Sequence, residues 1–390
     1  ITPVKSPSLL FEIISMFCCM IEVNTLLIHS FHIKTQRSLK RLHTKTTACY
    51  VLIAILSLVD PLYAQPLIDL SDQAKGLTIQ YQTTFHTGIY DEGAAEITAY
   101  DPNTKRLFFI NASNNQLVAL DISTLDSPRV VGTVDATEYG GGVNSVDVYD
   151  QWVAIAVEAD VQTDTGAVVL FYTDDLSFSH QFKVGPLPDM LVFTPDGSIL
   201  TANEGQPSVD YTIDPPGSVS IIRNAVDPNE AVVHHAEFDA YTVEALVAKG
   251  VRISVDVEEA ADDLEPEYIA LGPDGTTAYV TLQENNALAI VDLASATVSD
   301  VVALGEKDHS LPGNALDVSD RDGAIALQPW PVSGLYMPDG IATFQAEGQT
   351  YLLTANEGDS REFGGYSDEV RMEDLDLDPT IFPPSILTNE

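Results

Sequence analysis

The sequence predicts an all-β chain organised as a β-propeller, and three observations carry that reading. First, one unit is written twice with little change. Pro188-Asp189-Met190-Leu191-Val192-Phe193 runs through a Pro195-Asp196-Gly197 turn into Leu200-Thr201-Ala202-Asn203-Glu204-Gly205. Pro338-Asp339-Gly340-Ile341-Ala342-Thr343-Phe344 runs through Glu347-Gly348 into Leu353-Thr354-Ala355-Asn356-Glu357-Gly358. Each is an apolar run, a turn, a second apolar run and a polar stop, the pattern of a tight β-hairpin. Second, the unit recurs more loosely at 96–111, 144–158 and 267–285. Third, further apolar runs follow these hairpins at 117–122, 167–171, 218–222 and 288–293, with a fourth run at 297–304. Short strands in groups of four, repeated with insertions, are the blades of a propeller.

Residues 1–64 are a different kind of sequence. They hold Lys5, Lys34, Arg37, Lys40, Arg41 and Lys45, six of the 18 basic residues, and all three cysteines, Cys18, Cys19 and Cys49. A basic stretch at 34–45 precedes an apolar run at 49–59, an Asp60-Pro61 break and a small residue, Ala64. That order reads as upstream sequence followed by a secretory signal, with processing near Ala64–Gln65 and a start at Met16 or Met20. The apolar run is too short to span a bilayer comfortably. No membrane span is expected in the mature segment.

The mature segment, 65–390, keeps 12 basic and 55 acidic residues and no cysteine. Disulfides and thiolate metal sites are therefore excluded there. Such acidity excludes nucleic acid or an anionic membrane as partner, favours cations, and suits solubility in a salty exterior. No linker or composition break divides the segment, so one repeat architecture is expected. Two insertions interrupt it: 227–250, with a short helix at 240–249, and 305–336, rich in Gly, Pro, Asp and Ser and expected as an ordered surface loop. Asn111-Ala112-Ser113 is a formal glycosylation sequon.

Several longer stretches carry a family resemblance. They are Gly93 through Pro102, the hairpin ending Ala202-Asn203-Glu204-Gly205, Lys307-Asp308-His309-Ser310-Leu311-Pro312-Gly313-Asn314, Asp317 through Gly323, and Ala355 through Glu362. Over 75–390 the chain resembles the choice-of-anchor I family. The resemblance implies an exported β-propeller related to cell-surface glycoproteins of the mesenchyme-specific type and, more distantly, to bacterial proteins described as alkaline phosphatases. The 268–304 unit is similar to a YVTN-type repeat. The expected fold is thus YVTN/WD40-like and seven-bladed when complete, with about five blades visible here. The family's chains continue further, so 75–390 is expected to be incomplete at its C-terminus, where an anchor would lie.

The repeated acids carry the candidate chemistry. In a hairpin, the residue before the first strand and the residue after the second lie at one end, and the Pro-Asp-Gly turn lies roughly 20 Å away. Glu96, Asp189, Glu267 and Asp339 open first strands, and Glu158, Glu204, Glu284 and Glu357 close second strands. If first strands line the central channel, all eight carboxylates face its mouth. Like charges gathered there raise one another's pKa unless a cation compensates. Oxygen-only ligands suit Ca²⁺ or Mg²⁺ better than zinc. The alternative is that each acid bonds backbone amides or channel water and repeats only because the blade repeats.

Asp317, Asp320 and Asp322, followed by Gly323, form a second cation candidate. The loop lacks the full twelve-residue calcium pattern, and pinning by side-chain-to-backbone bonds is the equal alternative. Lys307, Arg361 and Arg371, with Arg321 beside them, are candidates to hold a phosphate or sulfate, a structural ion pair being the alternative for each. No Gly-x-Ser-x-Gly motif is present, and His309 is the one histidine in a family-like stretch. The sequence therefore points to a secreted or cell-surface propeller whose acidic, calcium-binding face serves interaction or adhesion with an extracellular partner. The alternative is a calcium-dependent phosphoesterase.

Overall fold

A computed structural model describes residues 80–382 apart from 255, 256, 322 and 365. The signal segment, its cysteines, the cleavage position and Asp322 lie outside the described residues.

Four antiparallel sheets of four strands follow one another in chain order. The first is β1 (Thr98–Asp101), β2 (Arg106–Asn111), β3 (Gln116–Asp121) and β4 (Arg129–Asp135). The second is β5 (Gly142–Tyr149), β6 (Trp152–Glu158), β7 (Thr165–Tyr172) and β8 (Phe178–Pro186). The third is β9 (Pro188–Phe193), β10 (Ile199–Asn203), β11 (Ser218–Arg223) and β12 (Val232–Glu237). The fourth is β13 (Pro266–Leu271), β14 (Thr277–Leu282), β15 (Ala287–Asp292) and β16 (Thr297–Ala303). A short pair, β17 (Glu306–Asp308) with β18 (Ser333–Leu335), brackets the 305–336 insertion. The second copy of the repeated hairpin then forms β19 (Pro338–Ala346) and β20 (Gln349–Asn356), followed by β21 (Glu362–Phe363) and β22 (Tyr366–Ser367).

This is the propeller arrangement. The first strand of each sheet touches the first strand of the next, from β1 through β5, β9 and β13 to β19. Polar side chains sew these inner strands together. Ser145 Oγ accepts from Leu191 N at 3.1 Å, and Asp147 Oδ2 accepts from Phe193 N at 2.7 Å. Thr343 Oγ1 donates to Leu271 O at 2.7 Å.

The second and third sheets are covered on both faces, which explains their apolar runs. Alternate residues of one strand enter different cores. In β6, Val153, Ile155 and Val157 pack with Phe108, Ile110 and Leu117 of the first sheet. Ala154 and Ala156, between them, pack with Leu191, Ile199 and Ile222 of the third. In β10, Ile199 faces the second sheet while Leu200 and Ala202 face Ile269, Val280 and Leu282 of the fourth. A one-residue slip would exchange these cores, so the register is tightly specified.

The outermost strands depart from the sequence reading. β4, β8 and β12 are not legible as apolar runs, and β12 lies inside what reads as the 227–250 insertion. Their burial patterns show why: β12 buries only Ala236 fully, and β4 buries no residue fully. The expected helix is present as α1 (Val243–Lys249), capped by Thr242 Oγ1 accepting from Ala245 N and closed by Gly250 at φ 90°. A second short helix, α2 (Ala260–Asp263), precedes β13. Among the described residues no helix is long and apolar enough to cross a membrane.

Candidate functional site

Four inner strands carry the same irregularity near their start. In β9, Met190 pairs with Ala202 and Pro188 with Asn203, which leaves Asp189 as an extra residue. One extra residue also falls between Val143 and Ser145 in β5, between Pro266 and Ile269 in β13, and between Pro338 and Ile341 in β19. A β-bulge of this kind bends its strand and re-aims the side chain at the bulge. The residues so placed are Asn144, Asp189, Glu267 and Asp339. Asn144 is absent from the sequence-based set because it is not acidic; its Nδ2 donates to Pro188 O at 3.3 Å, tying the second bulge to the third. Glu96 stands just before β1, its N–H bonded to Ile110 O at 3.0 Å.

The residues closing second strands are less alike. Glu204 is buried, its N–H bonded to Leu187 O at 2.8 Å and its Oε1 accepting from Gln206 Nε2. Gln162 Nε2 of the preceding sheet's loop holds Gln206 Oε1 in turn, at 3.0 Å. Glu284 is 2% exposed, and its Oε2 has no hydrogen-bond partner among the described residues. Glu158 is half-buried and Glu357 exposed.

Electrostatics link these groups. Burial, then Asp339, pushes Asp189 up to about 7, and a hydrogen bond with Glu267 partly offsets that rise. Burial and then Glu357 push Asp339 up to about 6. Glu204 is raised well above its ordinary value by burial, then by Asp189, Glu265 and Glu284. Glu267 is raised by burial, then by Glu204, Asp189 and Glu284. Burial raises Glu284 and Glu158 as well. Asp189, Glu204, Glu267, Glu284 and Asp339 thus share one field, and among the described residues none of the five is in an ion pair. Their oxygen-only chemistry fits a hard cation. They do not form a ready cage, since among the described residues no three carboxylate, imidazole or thiol groups stand as a preformed metal cluster.

Arg361 has a different role from the anion binder that its surroundings in the sequence suggest. Its guanidinium is buried against Asp263 and Glu265, which sequence reasoning missed. Nη1 donates to Asp263 Oδ1 and to Ser254 Oγ at 2.5 Å, and Nη2 donates to Asp263 O at 2.7 Å. Nη2 also lies 3.0 Å from Glu265 Oε1, and Nε donates to Glu265 Oε2 at 3.4 Å. Burial acts to weaken its charge, but Glu265 and Asp263 outweigh it and hold it protonated. Every nitrogen is engaged, so none is left for a phosphate. The segment after β20 is thereby fastened to the approach to β13. Arg252 Nη2 bonded to Asp368 Oδ2 at 2.7 Å, and Tyr211 stacked on Tyr366 at 5.5 Å, fasten it further.

The remaining candidates lie elsewhere. Arg371 grips Asp320 with two bonds, 3.1 and 2.8 Å, and Arg321 pairs with Glu373 at 2.6 Å. Asp317 Oδ2 accepts from Ala326 N at 3.0 Å. Asp317 and Asp320 are therefore held by backbone and by an arginine, and they point to separate partners. Lys307 is exposed. His309 Nδ1 contacts Asn314 O at 2.6 Å within its own loop. The sequon Asn111 is 6% exposed and accepts from Ser113 Oγ at 2.8 Å, a geometry closed to a glycan.

No curated protein sequence matches the chain. Among solved structures, it is similar to a functionally unknown protein from Desulfotomaculum acetoxidans, at 15% identity and TM-score 0.36 over 53% of this chain and 56% of that one. It is also similar to the hydrazine synthase of Kuenenia stuttgartiensis, at 17% identity and TM-score 0.41 over 69% and 77% of the two chains. A third is a gluconolactonase from Xanthomonas campestris, at 13% identity and TM-score 0.37 over 68% and 84%. Across residues 96–390, which include every strand from β1 to β22, the sequence matches the choice-of-anchor I domain, and the chain belongs to that family.

Proposed function

We propose that this chain is an exported, surface-presented β-propeller module whose acidic channel mouth binds a divalent cation, calcium first among them, and engages a partner there. One observation carries the reading: Asp189, Glu204, Glu267, Glu284 and Asp339 share one electrostatic field, with no ion pair to any of them among the described residues. A divalent cation converts that repulsion into stabilisation by mass action. Calcium suits a set that is not a ready cage, because it accepts six to eight oxygens in flexible geometry and shares its shell with water. Export is supported by the signal-like order of 34–64, by the acidity of the remainder and by membership of a family described by its anchor.

Calcium-dependent phosphoester hydrolysis has less support, because Arg361 and Arg371, the phosphate-facing candidates, are occupied by carboxylates. Calorimetric titration of the full chain with calcium chloride tests the proposal. Asp189→Asn combined with Asp339→Asn should weaken calcium binding by about tenfold or more, as the ligand charge falls. The exposed control Glu230→Gln should leave it unchanged. A wild-type chain that takes up no calcium ends the reading. Calcium-dependent turnover of p-nitrophenyl phosphate would favour the enzymatic one.

A further inference from the structure

One organic cation is already buried within the field of these acids. Arg361, reaching in from the segment after β20, bridges Asp263 and Glu265, two carboxylates from the α2–β13 approach. A guanidinium suits such a place because its planar fork meets two acceptors at once and it is weakly hydrated. Beside that occupied seat lies a second group, Glu204, Glu267 and Glu284, with Asp189 and Asp339 adjoining; among the described residues none of them is in an ion pair, and Arg361 and Arg252 act on the Glu284 carboxylate only through their field. Glu284 is the independent sign that something is accepted there. It is 2% exposed, its Oε2 is unpartnered among the described residues, and its charge bears on Glu204, Glu265 and Glu267. A buried carboxylate oxygen without a donor is costly, so such groups ordinarily find a partner.

We propose that this second seat receives an arginine or lysine side chain from a basic segment of a partner protein. The inference deepens the reading of the mouth as a cation-binding face, and it names the partner's chemistry. Two features fit a basic side chain as what the partner supplies. A guanidinium or ammonium on a long stem can bridge carboxylates that do not stand as a three-ligand cluster. The strongly acidic surface, with 55 acidic against 12 basic residues in 65–390, also attracts a basic segment before it docks. Because the seat and the calcium site share Glu204, Glu267 and Glu284, the two occupants compete.

The test uses the full chain and a fluorescent, end-blocked Gly-Gly-Arg-Gly-Gly peptide, with the same peptide carrying citrulline as the uncharged isostere. The arginine peptide should bind at least about tenfold more tightly than the citrulline peptide, the scale of a charge-assisted bidentate contact. Glu284→Gln, which preserves shape, should remove most of that difference, Glu230→Gln none of it, and calcium should displace the peptide. Equal binding of the two peptides overturns the inference, and so does an arginine preference that survives Glu284→Gln. If calcium binds but the arginine peptide is not preferred, the cation-site reading stands and this inference fails. If neither binds, both fail.

Discussion

Asp189 sits buried at a bulge, within the field of Asp339, its counterpart in the second copy of the repeated hairpin. Its carboxyl is raised from 3.8 to about 7, and that of Asp339 to about 6. An acid whose folded pKa is raised binds more protons folded than unfolded, so stability falls as pH climbs from the unfolded value to the folded one. In EDTA, melting temperature should therefore fall between about pH 5 and about pH 7. Asp189→Asn, which cannot ionise, should flatten that slope. Saturating calcium should reduce it or reverse its sign, because calcium prefers the ionised acids. A wild-type slope that rises with pH in EDTA would mean that the mouth acids are not the dominant titrating set. The repeated acids were legible because they recur at one position of a recurring unit. Asp263 and Glu265 were not, because their partner Arg361 lies 98 and 96 residues away and neither pairing repeats. Asn144 was missed because the bulge that aims it is a property of strand pairing, which residue types alone do not display.

At the scale of elements, legibility followed burial. β6 and β10 are covered on both faces; β6 reads as an apolar run and β10 as a run broken only by Thr201 before its polar stop, so their positions could be placed to within a residue or two. β4, β8 and β12 are each the last strand of their sheet, with one long edge open, and their mixed polar and apolar, partly exposed side chains resemble loop sequence. The helix α1 was readable from its local signals. Thr242 supplies the N-cap, Gly250 the left-handed close, and Leu246 the apolar face that packs into the core shared by the third and fourth sheets. Lys249 Nζ then reaches Asp300 Oδ1 on β16 at 2.6 Å, fixing the far end of the helix to the neighbouring sheet. Thr242→Ala should cost about 1 kcal/mol by removing the cap, whereas Thr242→Ser should retain most of it. Urea unfolding monitored by tryptophan fluorescence measures both. An alanine variant as stable as wild type would show that the cap bond is exchanged for water without loss.

For the whole molecule, blade order was legible because a repeat needs only its neighbours to be placed. What could not be read was how the 357–371 segment crosses back to the loops of the third and fourth sheets through Arg361, Asp368 and Tyr366. Contacts of that range depend on the assembled succession of inner strands. The same assembly gives the chain, with a formal charge of −40, a strong self-repulsion in addition to the local repulsion at the mouth. The two respond differently to salt. Diffuse repulsion is screened by any electrolyte, with a Debye length of about 10 Å at 0.1 M, and depends on ionic strength alone. A site distinguishes calcium from sodium. Melting temperature measured in sodium chloride should rise smoothly and level off as screening completes. At equal ionic strength, calcium chloride should give a larger rise that saturates in the low-millimolar range or below, as binding to the folded state alone requires. In the Asp189→Asn, Asp339→Asn double variant the calcium curve should collapse onto the sodium curve, while the sodium curve itself barely moves, because two charges out of the total change the diffuse term little. Curves for the two salts that already superimpose in the wild-type chain would assign the whole response to screening and leave the mouth without a calcium site.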